Sequence, residues 1–569
     1  MHFLLNFIKA AFTAAFFHLH SLQIMAMRLL FAFLMLVFIS CNTHKPADLL
    51  VYNATIYTVD SAFSKTDAIV IDDGKILETG PLADLEKKYV VAEKLDAGGK
   101  FIYPGFIDAH AHFVGYGLSL QQADLVNTES WDAVLEKLTH HAATTDSTAW
   151  IVGRGWDQND WPQKQFPTNE KLNELFPNRP VYLTRIDGHA AIANAKAFEL
   201  AGIQPGDKVE GGEYEMKNGK LTGILIDNAM EAVSRAIPHV GKTQLAAALS
   251  AAQQNCFAVG LTTIVDAGLD HEMVELIDTL QKDGTLKMRL YVMLSDQQKN
   301  YEWLKARGTI KTDFLNVRSF KIFGDGALGS RGACLLHDYS DRRGWKGFLL
   351  SSLAHFDSVA NIIAANGWQM CTHAIGDSSN RALLNIYAKY LKGKNDLRWR
   401  IEHAQVINEN DFDFFGKYSI VPSVQPTHAT SDMYWAADRL GPRRVKGAYA
   451  YRQLFEQNAW IPLGTDFPVE DISPFKTFYA AVVRKDAKGF PENGYQAENA
   501  LTRRQTLYGM TLWAARSNFE EHEKGSLEKG KFADFIILDK DIMAIPENEI
   551  LGTKVLKTFV GGSLVYELQ

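Results

Sequence analysis

Five short apolar, β-rich runs in this chain each end in a residue type that binds metal. They are GFIDAHAHF, RSFKIFGDG, QMCTHAIGD, RWRIEHAQV and AWIPLGTDF, carrying His110 with His112, Lys321, His373, His403 and Asp466. Few folds bring five such scattered ends together. A parallel β/α barrel does, because it gathers the C-terminal ends of its strands at one face, where active sites form. The pattern predicts one cluster with the ligands of a hydrolytic zinc or similar divalent ion.

The rest of the middle region agrees with a barrel. Strand candidates are GFIDAHA, GLTTIVDAG, MRLYVML, VRSFKIFGD, WQMCTHAIG, RWRIEHAQ, YSIVPSVQP and AWIPLGTD. Helical stretches such as SSLAHFDSVANIIAANG and SSNRALLNIYAKYL lie between several of them. Eight β/α units predict a TIM-type barrel of the α/β class, over residues 104–519. The interval from residue 113 to about 258 is too long for one crossover. It is expected to be a folded insertion over the barrel mouth, since long structureless loops are rare. On either side, residues 41–103 and 520–569 alternate apolar and polar residues between Asp-Gly and Gly-Gly turns. These flanks predict a small composite β-sandwich built from both termini.

Composition serves mainly to exclude. The chain is 47% hydrophobic and 22% charged with a net charge of −7. With no long basic run, it is not expected to bind nucleic acid. Its four cysteines form no CxxC and no disulfide framework.

The N-terminal residues 1–40 have the character of a signal peptide. A single Arg28 precedes an apolar run too short for a comfortable membrane span, and Met25 or Met27 is a plausible start. Phe38-Ile39-Ser40-Cys41 resembles a bacterial lipobox, although Phe38 stands where Leu or Val is usual. The expectation is lipidation at Cys41 and a lipid-anchored protein of the bacterial cell envelope, facing the periplasm or exterior. The alternatives are a plain signal peptide or an uncleaved anchor.

The site candidates differ in how strongly they point to chemistry. His110 and His112 are two apart in a strand, so both imidazoles can reach one metal. His373 and His403, at matching strand ends, suit a second or shared metal position. Asp466 can bind metal and accept a proton from activated water. Lys321 must be neutral beside a cation, or carry a carbamate that supplies oxygen ligands. Its structural alternative is an ion pair with Asp325. Trp156, Asp157 and Trp161 suit a pocket lining or the insertion's own core. His189 could hold an oxyanion or stabilise a turn. Arg331 could bind a substrate carboxylate or pair with Asp325.

These motifs resemble the metal-dependent amidohydrolase superfamily, in the branch that includes N-substituted formamide deformylases. PGFIDAHAH, GRGWDQNDWP, DGHAAIANAKAF, KIFGDGALGSR, THAIGD, IEHAQ, LGTDFPV and GSLEKGKFADFIILD all fit it. The resemblance implies a barrel with a composite β-sandwich, one or two divalent metals, zinc for preference, and hydrolysis of a non-peptide C–N bond in a small molecule. It places His110, His112, Lys321, His373, His403 and Asp466 at the metal site, with Asp466 as general base and acid. Two other readings remain open on the sequence: ester or lactone hydrolysis at the same site, and a lipid-anchored binding protein without catalysis. Retention of Asp466 argues against the last, because binding alone would not need it. Oligomeric state is not legible.

Overall fold

The computed structural model describes residues 1–38 and 45–569. Seven barrel strands pair in parallel, in chain order: Phe106–Ala111, Leu261–Leu269, Arg289–Ser295, Leu315–Phe323, Gln369–Ala374, Arg400–His403 and Val421–Ser423. The eighth candidate, AWIPLGTD, is not a regular strand. It fills the gap all the same, since Val424 bridges Leu463 in parallel and Ala109 N–H donates to the Leu463 carbonyl at 3.2 Å. The result is a nearly closed TIM-like α/β barrel.

The barrel strands are buried on both faces, and their sequences accordingly run apolar rather than alternating. LTTIVDAGL is buried at every position but Gly268. Ile264, Val292, Phe320, Met370 and Ile401 sit at the centre of one large apolar cluster.

Between the first and second barrel strands lies a six-stranded sheet, ordered Gly212–Lys217, Lys220–Asp227, Ala190–Ala193, Val181–Arg185, Ile151–Trp156, Ala123–Asp124. It has its own buried cluster around Trp156, Trp161 and Leu183. The helix Lys242–Ala258 that follows packs back on the barrel, burying Leu245, Leu249 and Phe257 in the main cluster.

A third sheet joins the two chain ends. Its order is Ser563–Glu567, Val555–Val560, Phe535–Leu538, Tyr89–Pro104, Lys45–Tyr57, Lys65–Asp72, Lys75–Gly80. Phe535 stacks on Phe559 with ring centroids 4.3 Å apart. Arg289, at the base of the third barrel strand, pairs at 2.7 Å with Asp534, the residue before the strand Phe535–Leu538, both buried.

The N-terminal segment forms one continuous helix, His2–Phe38. Its Phe3–Leu29 stretch has mean hydropathy 1.3 and no buried share. At about 1.5 Å per residue it is long enough to cross a bilayer, and a signal sequence has the same character. The apolar character therefore extends well upstream of Arg28. Cys41 lies outside the described residues.

Candidate functional site

The ends of the barrel strands carry the cluster. The first strand ends at His110 and Ala111, and His112 begins the helix Phe113–Ser119. Asp108 clips this strand to the eighth segment. Its carboxylate accepts the Thr465 N–H at 3.0 Å, the Thr465 hydroxyl at 2.7 Å and the His110 N–H at 3.1 Å. Burial outweighs these bonds and pushes the Asp108 carboxyl up to about 7. Asp466 N–H then donates to the His110 carbonyl at 2.7 Å. A Cβ at Gly464 would meet His110 N at 2.5 Å, so only glycine allows the two segments this approach.

Two site residues sit in the left-handed region that non-glycine residues avoid: His403 at φ 72° and Asp466 at φ 65°. Such conformations concentrate where side chains must be aimed. In a regular strand, neighbours point to opposite faces. The turn at His403 breaks that alternation, and both Glu402 and His403 contact His110. Glu402 Oε2 lies 2.6 Å from His110 Nδ1, and the His403 ring centroid 5.0 Å from that of His110.

Three histidines have one ring nitrogen committed away from the centre. His110 Nδ1–H donates to Glu402, His112 Nδ1–H to the Ala267 carbonyl at 3.0 Å, and His403 Nδ1–H to Gln425 Oε1 at 2.8 Å. These tautomers follow from the acceptors on offer. Each Nε2 then presents a lone pair inward. His112 Nε2 lies 3.2 Å and His110 Nε2 3.5 Å from Asp466 Oδ1. Acceptors facing acceptors at such distances require a proton or a cation between them.

The electrostatics agree. Burial, with Lys321 adding to it, lowers the His110 imidazole to about 4 despite Glu402. Burial also lowers His373 and His403 well below the usual histidine range. The shift favours the neutral form of each, the state in which imidazole binds metal. Burial opposes ionisation of Asp466, but His112, His110 and His403 outweigh it and hold its carboxyl well below the usual range. Burial likewise opposes ionisation of Glu402, but Arg400 and His110 prevail and depress its carboxyl. The Arg400 Nε lies 2.6 Å from Glu402 Oε1.

Two groups keep their ligand atoms within 4.8 Å of one another: His110, His112 and Asp466, and His403, His428 and Asp466. Asp466 belongs to both. His373 Nε2, His428 Nε2 and Asp466 Oδ1 are buried with no hydrogen-bond partner. Buried polar atoms are normally paired, so this convergence of orphans fits the nitrogen and oxygen donor set of a divalent ion. Lys321 Nζ lies 3.3 Å from His110 Nε2 and has no carboxylate within ion-pair distance among the described residues. Burial pushes its amine down.

A cavity of about 700 Å³ opens above the cluster, lined by His112, Lys321, His373, His403 and Asp466 together with insertion residues. Of the other sequence candidates, Asp157 and His189 line it. Asp157 is ion-paired to Arg185, and His189 Nδ1 lies 2.6 Å from Asp227 Oδ1. The His189 ring lies beside that of His373, tilted by 44° with centroids 4.8 Å apart.

Four candidates lie outside the cavity lining, Trp161 among them, packed in the insertion core. Trp156 is fully buried in the insertion core, its indole N–H donating to the Leu183 carbonyl at 2.9 Å. Asp325 accepts backbone N–H groups of Cys334, Ile375 and Gly376 at 2.7, 3.0 and 2.8 Å, so it ties a loop to the barrel and does not pair with Lys321. Arg331 pairs with Asp341 at 2.8 Å, not with Asp325, and lies outside the cavity lining.

Sequence reasoning missed Glu402, Gln425 and His428. Glu402 adjoins a flagged histidine, but strand alternation assigns it to the opposite face. His428 follows the seventh strand in QPTHAT, on the first turns of the helix Pro426–Asp432, where strand-end reasoning does not look.

Comparison with known proteins bears directly on this geometry. The model of the amidohydrolase family matches residues 93–566. The chain is 32% identical over 539 residues to Protein LONG AFTER FAR-RED 3 of Arabidopsis thaliana, covering 91% of this chain and 92% of that protein. It is 26% identical over 541 residues to N-substituted formamide deformylase of Arthrobacter pascens, covering 91% and 98%. The crystal structure of an uncharacterized metal-dependent hydrolase from Pyrococcus horikoshii matches with a TM-score of 0.72 at 26% identity, over 88% of this chain and 99% of that one.

Proposed function

Since the chain belongs to the amidohydrolase family and is a metal-dependent hydrolase, we propose that it acts on small molecules and cleaves a non-peptide C–N bond, in an amide, formamide or related compound. The observation that carries this is the set of lone pairs converging on Asp466 at the floor of a cavity that admits a small molecule. The formamide chemistry named for the Arthrobacter relative supports the same bond class.

His110, His112, Lys321, His373, His403 and Asp466 are the proposed metal-site residues, with His428 added, for one or two divalent ions, zinc for preference. A bound divalent ion acidifies water and polarises a substrate carbonyl. Asp466 takes the proton that water loses as its oxygen bonds to the carbonyl carbon. The same carboxyl then delivers that proton to the nitrogen as the C–N bond breaks, leaving an acid and an amine. His189, braced by Asp227, faces the cavity where it can steady the developing oxyanion.

Metal analysis followed by a panel of amides, formamides, esters and lactones tests the proposal. The expected result is one to two divalent ions per chain, turnover of C–N substrates, and its loss on chelation with recovery on adding zinc back. Turnover confined to esters or lactones would move the substrate class. Full activity after complete chelation would sink the proposal.

We further propose that Cys41 becomes the acylated N-terminus after removal of the apolar segment, anchoring the protein to a membrane of the cell envelope. The exposed apolar stretch Phe3–Leu29 supports an export role for this end. Mass spectrometry of the mature N-terminus is expected to find a lipid-modified cysteine, and an unmodified Cys41 in the mature chain rules it out.

A further inference from the structure

Arg154 is a cation in the cavity wall without a counter-ion. It lies in the insertion strand Ile151–Trp156 and lines the cavity that holds Asp466 and Lys321. Its guanidinium is anchored on one side only: Nη2 donates to the Ile186 carbonyl at 2.7 Å. Its Nε is buried with no hydrogen-bond partner. No carboxylate lies within ion-pair distance of it among the described residues.

The other cationic side chains lining the cavity outside the metal cluster are satisfied. Arg185 holds Asp157 and Asp187, and Lys476 holds Asp471 at 2.8 Å. Carboxylates also line the cavity, so a missing partner is not for want of acids nearby. Most of those are engaged: Asp432 accepts the Tyr449 hydroxyl at 2.7 Å, and Glu470 the Ser431 hydroxyl at 2.6 Å. A partly buried charge without a partner is costly, and proteins pair or solvate such groups. The planar fork of arginine matches a carboxylate in a two-pronged grip.

We propose that Arg154 is an anion subsite that selects substrates carrying a carboxylate besides the scissile bond. The inference rests on the C–N hydrolase reading and narrows it to acidic amides. The guanidinium, pinned to the Ile186 carbonyl, offers its free edge to that carboxylate, while the scissile group reaches Asp466 in the same cavity.

The test uses the metal-loaded full chain and a panel of N-formyl and N-acetyl amino acids, each paired with its neutral primary amide. Binding is measured by calorimetry and hydrolysis separately. The wild type is expected to bind the acids more tightly than the amides. In Arg154→Gln that preference should fall roughly 30-fold or more, the usual consequence of removing one partner of a desolvated charge pair. Arg154→Lys, which keeps the charge without the fork, should retain an intermediate preference, and it serves if the glutamine variant does not fold. A wild type with no preference for the acids overturns the proposal. So does a preference unchanged in Arg154→Gln, as expected if the carboxylate merely binds the metal. Arg154-dependent binding without hydrolysis would count against the C–N reading and leave the subsite standing.

Discussion

Asp466→Asn is expected to lower kcat by about 100-fold to 10,000-fold, the range for losing general acid–base catalysis. The substitution keeps size and one ligand oxygen but removes the group that carries the proton. The backbone here is held independently of that carboxylate, by the Asp466 N–H to the His110 carbonyl and by Asp108 gripping Thr465. The fold is therefore expected to survive, and the three imidazole lone pairs directed at the centre should retain much of the metal. Turnover and metal content measured on the same preparation check this. Wild-type turnover in Asp466→Asn would overturn the proposed proton path.

His110→Ala is expected to lose bound metal and activity together. His110 faces Asp466 and Lys321 through Nε2 and is oriented by Glu402 through Nδ1, with Glu402 held in turn by Arg400. Removing it leaves the Glu402–Arg400 pair intact but takes a donor from the centre. Glu402→Gln keeps the donor and loosens its orientation, so metal affinity should fall by a smaller factor, about 10-fold to 100-fold. Lys321→Ala separates two states of the lysine. A carbamate supplies metal-binding oxygens, so its loss should release metal, with partial rescue by small carboxylic acids. A plain neutral lysine predicts that metal persists and no rescue occurs. Metal content of the three variants side by side is the measurement. A His110→Ala protein with full metal content would refute the ligand assignment.

The barrel and much of the cluster were legible in the chain because both rest on local rules. Buried parallel strands demand apolar runs, and a barrel's active face lies at their C-terminal ends, so the strand-end residues His110, His373, His403 and Asp466 could be read in order. Lys321 belonged to the same series. The eighth segment was placed correctly by that logic although its pairing is irregular. Orientation was not legible. Trp156 and Asp157 are neighbours of similar promise, yet one closes the insertion core and the other lines the cavity. Arg331 and Asp325 shared a turn motif and found other partners, an acid ten residues on and a set of backbone amides.

What the sequence by itself determined is therefore the TIM-like barrel and the residue types at the strand ends, since period and burial are properties of short segments. What only the tertiary structure decided is partnership. Glu402 reaches His110 because the left-handed turn at His403 breaks the strand's alternation. His428 reaches Asp466 because a helix turns back over the barrel mouth. Arg154 is left unpaired while the nearby Asp187 is held by Arg185. Each depends on where segments far apart in the chain meet, which no local pattern encodes.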